Sequence, residues 1–331
     1  MPITIKQIAK KANVSIATVS RALSGDSKVR EDTKKLVLKI AKQLNYNPNI
    51  LARNFVKGKS NIIGLVLPDI SDEYFSEIIR SIDDTSYLNG YYTMVMSSHE
   101  NRSLTESINT MMNSGIVGGF ILLIPFINSE IKKALNSGSV PFVLISGDDD
   151  IGDFDVVTTD NYQSAFRMVE FLVVKGYKKI AHISGPPDNN DASLRKKGFL
   201  NACSKYKIDV KKSWLAKGNF TMESGEKACS KLLNEKEKPD VIFAANDMMA
   251  LGCYKAIHSI GLKIPVDIAI TGFDDILISE YANPSLTTIR VDTDRIGKVA
   301  AERLIEKMNG SINKTIQKKE IASQLVIRSS C

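Results

Sequence analysis

Histidine and cysteine are scarce in this 331-residue chain, with three of the first and four of the second. Cys203, Cys229, Cys253 and Cys331 are widely spaced and form no C-x-x-C pair, which excludes a disulfide framework and the common zinc patterns. His99, His182 and His258 stand at no metal-ligand spacing from another donor, so no metal is expected. No apolar run reaches the eighteen or more residues that a membrane-spanning helix needs. The N-terminus also lacks an apolar signal core, and with reduced cysteines this predicts a cytoplasmic protein. The dinucleotide fingerprint G-x-G-x-x-G and the phosphate loop G-x-x-x-x-G-K-[ST] are both missing, so no nucleotide cofactor is expected.

Acidic residues are nearly absent from one end. Residues 1–60 hold 13 Lys and Arg against 3 Asp and Glu, whereas residues 61–331 hold 31 against 34. The basic balance of the whole chain therefore belongs to its first sixty residues. Charge concentrated in this way is the footprint of a polyanion partner, because each neutralised phosphate releases counterions.

The same segment has the pattern of a helix-turn-helix. In "TIKQIAKKANVSIATVSRAL", Ala9 sits where two helices cross closely. Asn13 falls at the turn, where few residues other than Gly tolerate a left-handed backbone. Val19 returns an apolar side chain to a small core with Ile8, Val14 and Leu23, and Ser15 caps the second helix. Ile16, Ala17, Ser20 and Arg21 share that helix's outer face. A third helix is predicted from Glu31 to Leu44, with Val37, Ile40, Ala41 and Leu44 inward. Pro48 then ends what precedes it, and 50–57 reads either as a plain linker or as a hinge that turns helical when something orders it.

The stretches "TIKQIAKKANVSIATVSRALSG", "LNYNPNILAR" and "GKSNIIGLVLPDIS" resemble the lactose/galactose-repressor (LacI/GalR) family in order and spacing. That resemblance implies a DNA-binding transcriptional regulator, a repressor, controlled by a small ligand. It places Ile16, Ala17 and Arg21 against base edges in the major groove, and Lys6, Ser15, Thr18 and Ser20 against phosphates. It assigns minor-groove contacts to the hinge residues Ala52, Arg53 and Phe55. Phe55 stands where family members usually carry Leu. It is either an alternative wedge between bases or a side chain packed on the body. Arg30 is a second departure, standing where a short capping residue is expected. The implied domains are 1–46 for the helix-turn-helix head, 47–60 for the hinge and 61–331 for the ligand-binding core.

Beyond residue 60 apolar strand-like runs alternate with amphipathic helices. Strands are predicted at 62–67, 92–96, 119–124, 142–145, 156–159, 180–183, 241–245, 268–271 and 321–327. The fold class is α/β, with an all-α head followed by two lobes of doubly wound parallel sheet resembling periplasmic binding proteins. Lobe one is expected to take about 61–160 and 291–320, and lobe two about 161–290 and 321–331. Ligands on such sheets bind beyond the strand C-termini. There the chain places Arg195, after "ISGPPDNNDASL", Asn246 in "AANDMMALG" and Asp274 in "TGFDDI". The resemblance makes these effector contacts, with Phe220 stacking on the ligand and Tyr74 and Phe75 adding aromatic contact. Ser146 replaces the Asp expected in many sugar-binding members. An Arg, a carboxylate and aromatic faces suit a carbohydrate.

Asp148, Asp149, Asp150, Asp153 and Asp155 lack calcium-loop spacing and read as a solvated connection. No nucleophile and base stand in a supporting motif, so the chain is not expected to be an enzyme. The expected partners are a palindromic operator in double-stranded DNA, a small-molecule effector and a second copy of the chain, with no membrane. Segments 75–87 and 276–283 are candidates for the dimer interface. A solute receptor would share the core without a basic head, and an architectural DNA binder would share the head without a polar cleft.

Overall fold

The computed structural model describes residues 3–23, 26–46, 60–68, 73–98, 102–124, 126–138, 140–146, 153–310 and 315–331. The chain divides into two compact units, Met1–Ser60 and Asn61–Cys331.

In the first unit, α1 (Ile5–Ala12), α2 (Ile16–Leu23) and α3 (Glu31–Gln43) enclose a small apolar core. The Gln7 side chain accepts the Thr4 N–H at 2.7 Å and fixes the start of α1. Asn13 ends that helix at φ 54°, ψ 45°, the left-handed turn its side chain tolerates. Ser15 Oγ then accepts the Thr18 N–H at 3.1 Å and starts α2. Ile8, Val19 and Val37 are fully buried, each worth roughly 1.5–3 kcal/mol, and Ala9, Ala12 and Ala22 let the helices approach. Arg30 occupies the N-cap of α3 without a side-chain cap bond. Glu31 and Asp32 in the first turn supply the negative charge that the helix N-terminus favours.

The second unit is built on two parallel sheets and a small antiparallel pair. The larger sheet comprises β1 (Ile62–Leu67), β2 (Tyr92–Ser97), β3 (Gly119–Leu123), β4 (Phe142–Ile145), β5 (Val156–Thr159) and β11 (Lys318–Ile321), in the order β11-β5-β4-β3-β1-β2. The smaller sheet comprises β6 (Ile180–Ser184), β7 (Leu215–Lys217), β8 (Val241–Ala244) and β9 (Ala269–Thr271), in the order β7-β6-β8-β9. All neighbours within both sheets run parallel. Each order reverses direction beside its first strand, which opens a crevice at the strand C-termini. β10 (Thr288–Arg290) pairs antiparallel with β12 (Gln324–Val326).

Helices α4 (Glu73–Leu88), α5 (Leu104–Asn113), α6 (Ser129–Ser137) and α12 (Thr293–Met308) belong with the larger sheet. Helix α7 (Asn161–Val174) packs on α8 (Asn190–Lys205) and on the β10–β12 pair, while α8, α9 (Met222–Leu233) and α10 (Asp247–Ser259) pack on the smaller sheet; the short α11 (Leu277–Tyr281) follows β9. Two glycines set the crossing of α9 and α10. A Cβ at Gly225 would lie 2.2 Å from the Met249 carbonyl oxygen, and one at Gly252 would lie 2.1 Å from that of Met222.

The structure corrects two readings of the sequence. The single strand expected at 321–327 is two strands in different sheets. Asp160 breaks it: its N–H donates to the Ile321 carbonyl, and its carboxylate takes the Ser323 N–H at 2.8 Å. Asp155 is not part of a solvated connection but is buried. It accepts from Arg303 Nε at 2.8 Å, Lys307 Nζ at 2.6 Å and the Gln317 N–H at 2.9 Å. Burial alone would push its carboxyl up, yet these donors together hold it below the ordinary range. Asp148, Asp149 and Asp150 lie outside the described residues.

Candidate ligand cavity and nucleic-acid interface

A cavity of about 110 Å³ lies at the C-terminal ends of both parallel sheets. Tyr74, Phe75, Ser146, Arg195, Phe220, Asn246 and Asp274 all line it, so the structure brings together every residue proposed from the sequence for a small ligand. The larger sheet and α4 supply a mostly apolar wall through Ile78, Leu123, Ile124, Ile145 and Val157, with Thr158, Thr159 and Ser146 at its polar edge. The smaller sheet supplies charge. Sequence reasoning missed Asn189 and Asp191 at the start of α8, although they lie in the segment that carries Arg195.

Arg195 is 5% exposed and held from several sides. Its Nε donates to Asn161 Oδ1 at 2.8 Å and its Nη1 to the Ala245 carbonyl at 2.6 Å. Nη1 also stands 3.1 Å from Asp274 Oδ1, and the guanidinium carbon is 3.7 Å from the Phe273 ring centroid. The cation is thereby stacked, paired and hydrogen-bonded, which offsets the cost of removing it from water. Asn161 in turn donates to Asp191 Oδ1 at 2.7 Å.

Asn246 caps α10 by accepting the Met249 N–H at 3.0 Å and donates through Nδ2 to the Phe220 carbonyl at 3.0 Å. One amide N–H of its two is left beyond that bond. Phe220 sits at φ 70°, a strained backbone that this bond helps to hold. Its ring fits because Gly185 faces it: a Cβ there would lie 2.4 Å from Phe220 Cζ. Asp274 and Asp275 also have positive φ, 110° and 60°. Asp275 is fixed by Arg290 and Arg328, each at 2.6 Å. Burial, together with Asp191 and Asp274, pushes the Tyr74 hydroxyl up and keeps it protonated as a donor.

Below the cavity, Asp247 is fully buried at the start of α10. It accepts from Thr288 Oγ1 at 2.6 Å, Ser279 Oγ at 2.7 Å and the Ile276 N–H at 3.1 Å, tying α10 to α11 and β10. Burial raises its pKa to about 7. A hydrogen bond from the Leu277 N–H to Glu73 Oε1, at 2.7 Å, joins the start of α11 to the start of α4.

In the head, Lys6, Ser15, Ile16, Ala17, Ser20 and Arg21 are exposed and Thr18 is half-buried. Ile16 leaves 45% of its surface in solvent although it begins an amphipathic helix. An apolar side chain displayed among polar ones is what contact with thymine methyl groups requires. Ser15 and Thr18 hydroxyls meet at 2.8 Å, so both are positioned by the cap. The hinge residues Ala52, Arg53 and Phe55 lie outside the described residues.

Comparison with known proteins agrees with both parts. Residues 4–49 match the model of bacterial regulatory proteins of the lacI family, and residues 169–331 match a periplasmic binding protein-like domain. The HTH-type transcriptional repressor PurR of Proteus mirabilis (strain HI4320) is 32% identical over 331 residues, 99% of this chain and 96% of that one. The chain belongs to the lacI family of bacterial regulatory proteins. It is a DNA-binding transcriptional regulator and not an enzyme. Among solved structures of the lacI family, the Lac repressor dimer bound to operator and the anti-inducer ONPF superposes with a TM-score of 0.89 at 27% identity. That match covers 100% of this chain and 99% of that one. A LacI family regulator from Enterococcus faecium with bound ribose gives 0.73 at 26% identity, over 81% and 98% of the two chains. Among the described residues no helix is long and apolar enough to cross a membrane, and no His, Cys, Asp and Glu group is placed to hold a metal ion.

Proposed function

We propose that this lacI-family regulator is a homodimeric cytoplasmic repressor that grips a palindromic operator and adjusts that grip to a small carbohydrate in the cavity. The observation that carries the reading is the convergence of Arg195, Asn246, Asp274, Phe220, Tyr74, Phe75 and Ser146 on one cavity at the strand ends. A fork donor, a carboxylate, an amide and aromatic faces on one side of an apolar wall suit a ring bearing hydroxyls above and C–H groups below. The ribose bound to the Enterococcus faecium relative supports a sugar.

In the head, Arg21 reads guanine through its fork, Ile16 and Ala17 offer apolar contact, and Lys6, Ser15, Thr18 and Ser20 hold phosphates. Residues 47–60 act as the hinge, with Ala52, Arg53 and Phe55 in the minor groove, and 61–331 as the two-lobed sensor. A second copy is supported by the apolar residues left in solvent on the expected interface segments: Tyr87 at the end of α4, and Leu277 and Tyr281 on α11. A symmetric dimer doubles the base contacts that one short recognition helix makes.

Cutting the chain after Ser60 tests the division of labour. Residues 61–331 are expected to keep ligand binding and lose operator binding. Operator affinity equal to that of the intact chain would overturn the reading.

A further inference from the structure

The charge of the cavity lining restricts what can enter it. Among the described residues that line it, three carry formal charge, Arg195, Asp191 and Asp274, and none is Lys or His. The positive charge of Arg195 is committed, since it stands 3.1 Å from Asp274 and gives further donors to Asn161 and the Ala245 carbonyl. Asp191 makes no such ion pair among the described residues, although the Arg195 charge favours its ionised form from a distance. What meets it is the neutral amide of Asn161, which accepts from Arg195 and donates to Asp191 at 2.7 Å, relaying polarity without charge. That bond uses one carboxylate oxygen and leaves the other for hydroxyl donors. Burial pushes the Asp191 carboxyl up, with Arg195 and the Asn161 bond opposing.

We infer that Asp191 makes this a site for uncharged polyols and a barrier to their phosphate esters and carboxylates, an inference that rests on the ligand reading proposed above. A phosphate placed in the cavity would face two carboxylates and a guanidinium already paired with one of them, with no second cation among the described lining residues to share its charge. A sugar hydroxyl, by contrast, donates to Asp191 and receives a charge-assisted bond.

Matched pairs test this on the full chain: D-ribose with D-ribose 5-phosphate, and D-glucose with both D-glucose 6-phosphate and D-gluconate, each titrated by calorimetry. At least one uncharged sugar is expected to bind, and its anionic partner to bind at least about a hundredfold more weakly. Asp191→Asn keeps a carbonyl for Asn161 and is expected to leave the unliganded melting temperature near that of the parent. It should narrow the neutral-to-anionic ratio at least about tenfold. An anionic member that binds as tightly as its parent overturns the inference, and so does an unchanged ratio in Asp191→Asn. If only phosphate esters bind, the assignment to Asp191 fails while a carbohydrate site stands. If no sugar of either kind binds, the carbohydrate reading itself fails.

Discussion

Arg195 and Asp274 meet at 3.1 Å with the ring of Phe273 lying 3.7 Å beneath the guanidinium. The pair joins α8 to the loop after β9, so the cavity's charge and the packing of the smaller sheet depend on the same side chain. Arg195→Ala would leave Asp274, Asn161 Oδ1 and the Ala245 carbonyl short of a donor in a buried setting. A stability loss of about 3–5 kcal/mol is expected from urea unfolding. A loss under about 1 kcal/mol would mean that the pair is poorly coupled to the fold.

Gly185 holds open the space for the Phe220 ring. In Gly185→Ala the new Cβ would lie 2.4 Å from Phe220 Cζ and 2.9 Å from Ala192 Cβ, so the ring, being the freer group, should move. The expected outcome is a modest fall in the urea midpoint and roughly a tenfold loss of ligand affinity, the scale of one aromatic contact. Unchanged affinity would remove Phe220 from the binding surface.

His182 lies fully buried between Phe199 and Phe243, with Nδ1 2.9 Å from the Phe243 carbonyl and Nε2 without a hydrogen-bond partner among the described residues. Burial lowers its pKa from 6.5 to about 4. Between those values the unfolded chain takes up a proton that the folded chain refuses, so this group's contribution is complete above pH 6.5 and drains as pH falls toward 4. The loss is about 2 kcal/mol between pH 7 and pH 5. Asp247, raised to about 7 by burial, titrates in the opposite sense: its contribution is complete below about 3.8 and fades as pH rises through 7. Comparing the parent with His182→Gln cancels that background. The variant's deficit should shrink by about 2 kcal/mol on going from pH 7 to pH 5, and a deficit independent of pH would contradict the assignment.

Two substitutions in the head separate base reading from phosphate holding. Arg21→Ala should cost roughly 1–3 kcal/mol of operator affinity and relax preference at one position. Lys6→Ala should weaken binding to all sequences alike and lower the salt slope by about 1. If both variants lose affinity equally on operator and random DNA, Arg21 is not a base reader.

Much of the cavity was legible because strand ends are easy to find. Arg195, Asn246 and Asp274 follow short apolar runs that stop at polar residues, and a doubly wound sheet gathers such ends at one crevice. The head was legible because Asn13 and Ser15 each have a local reason to be where they are. What stayed hidden depends on distant partners. Asp191 passes for an ordinary first-turn acid until Asn161 is seen beside it. Asp155 reads as one of a solvated acidic run until Arg303 and Lys307 arrive from α12, about 150 residues later. β7 and β10, of three residues each, are too short for alternation to show.

The central claim is that occupancy of the cavity changes the grip on DNA. Operator binding by the full chain should be measured by fluorescence anisotropy with and without a saturating sugar identified by calorimetry, in the parent and in Asp274→Ala. The account predicts a shift of about 5- to 150-fold in the parent and little or none in the variant. An operator affinity indifferent to a sugar shown to occupy the cavity would contradict it.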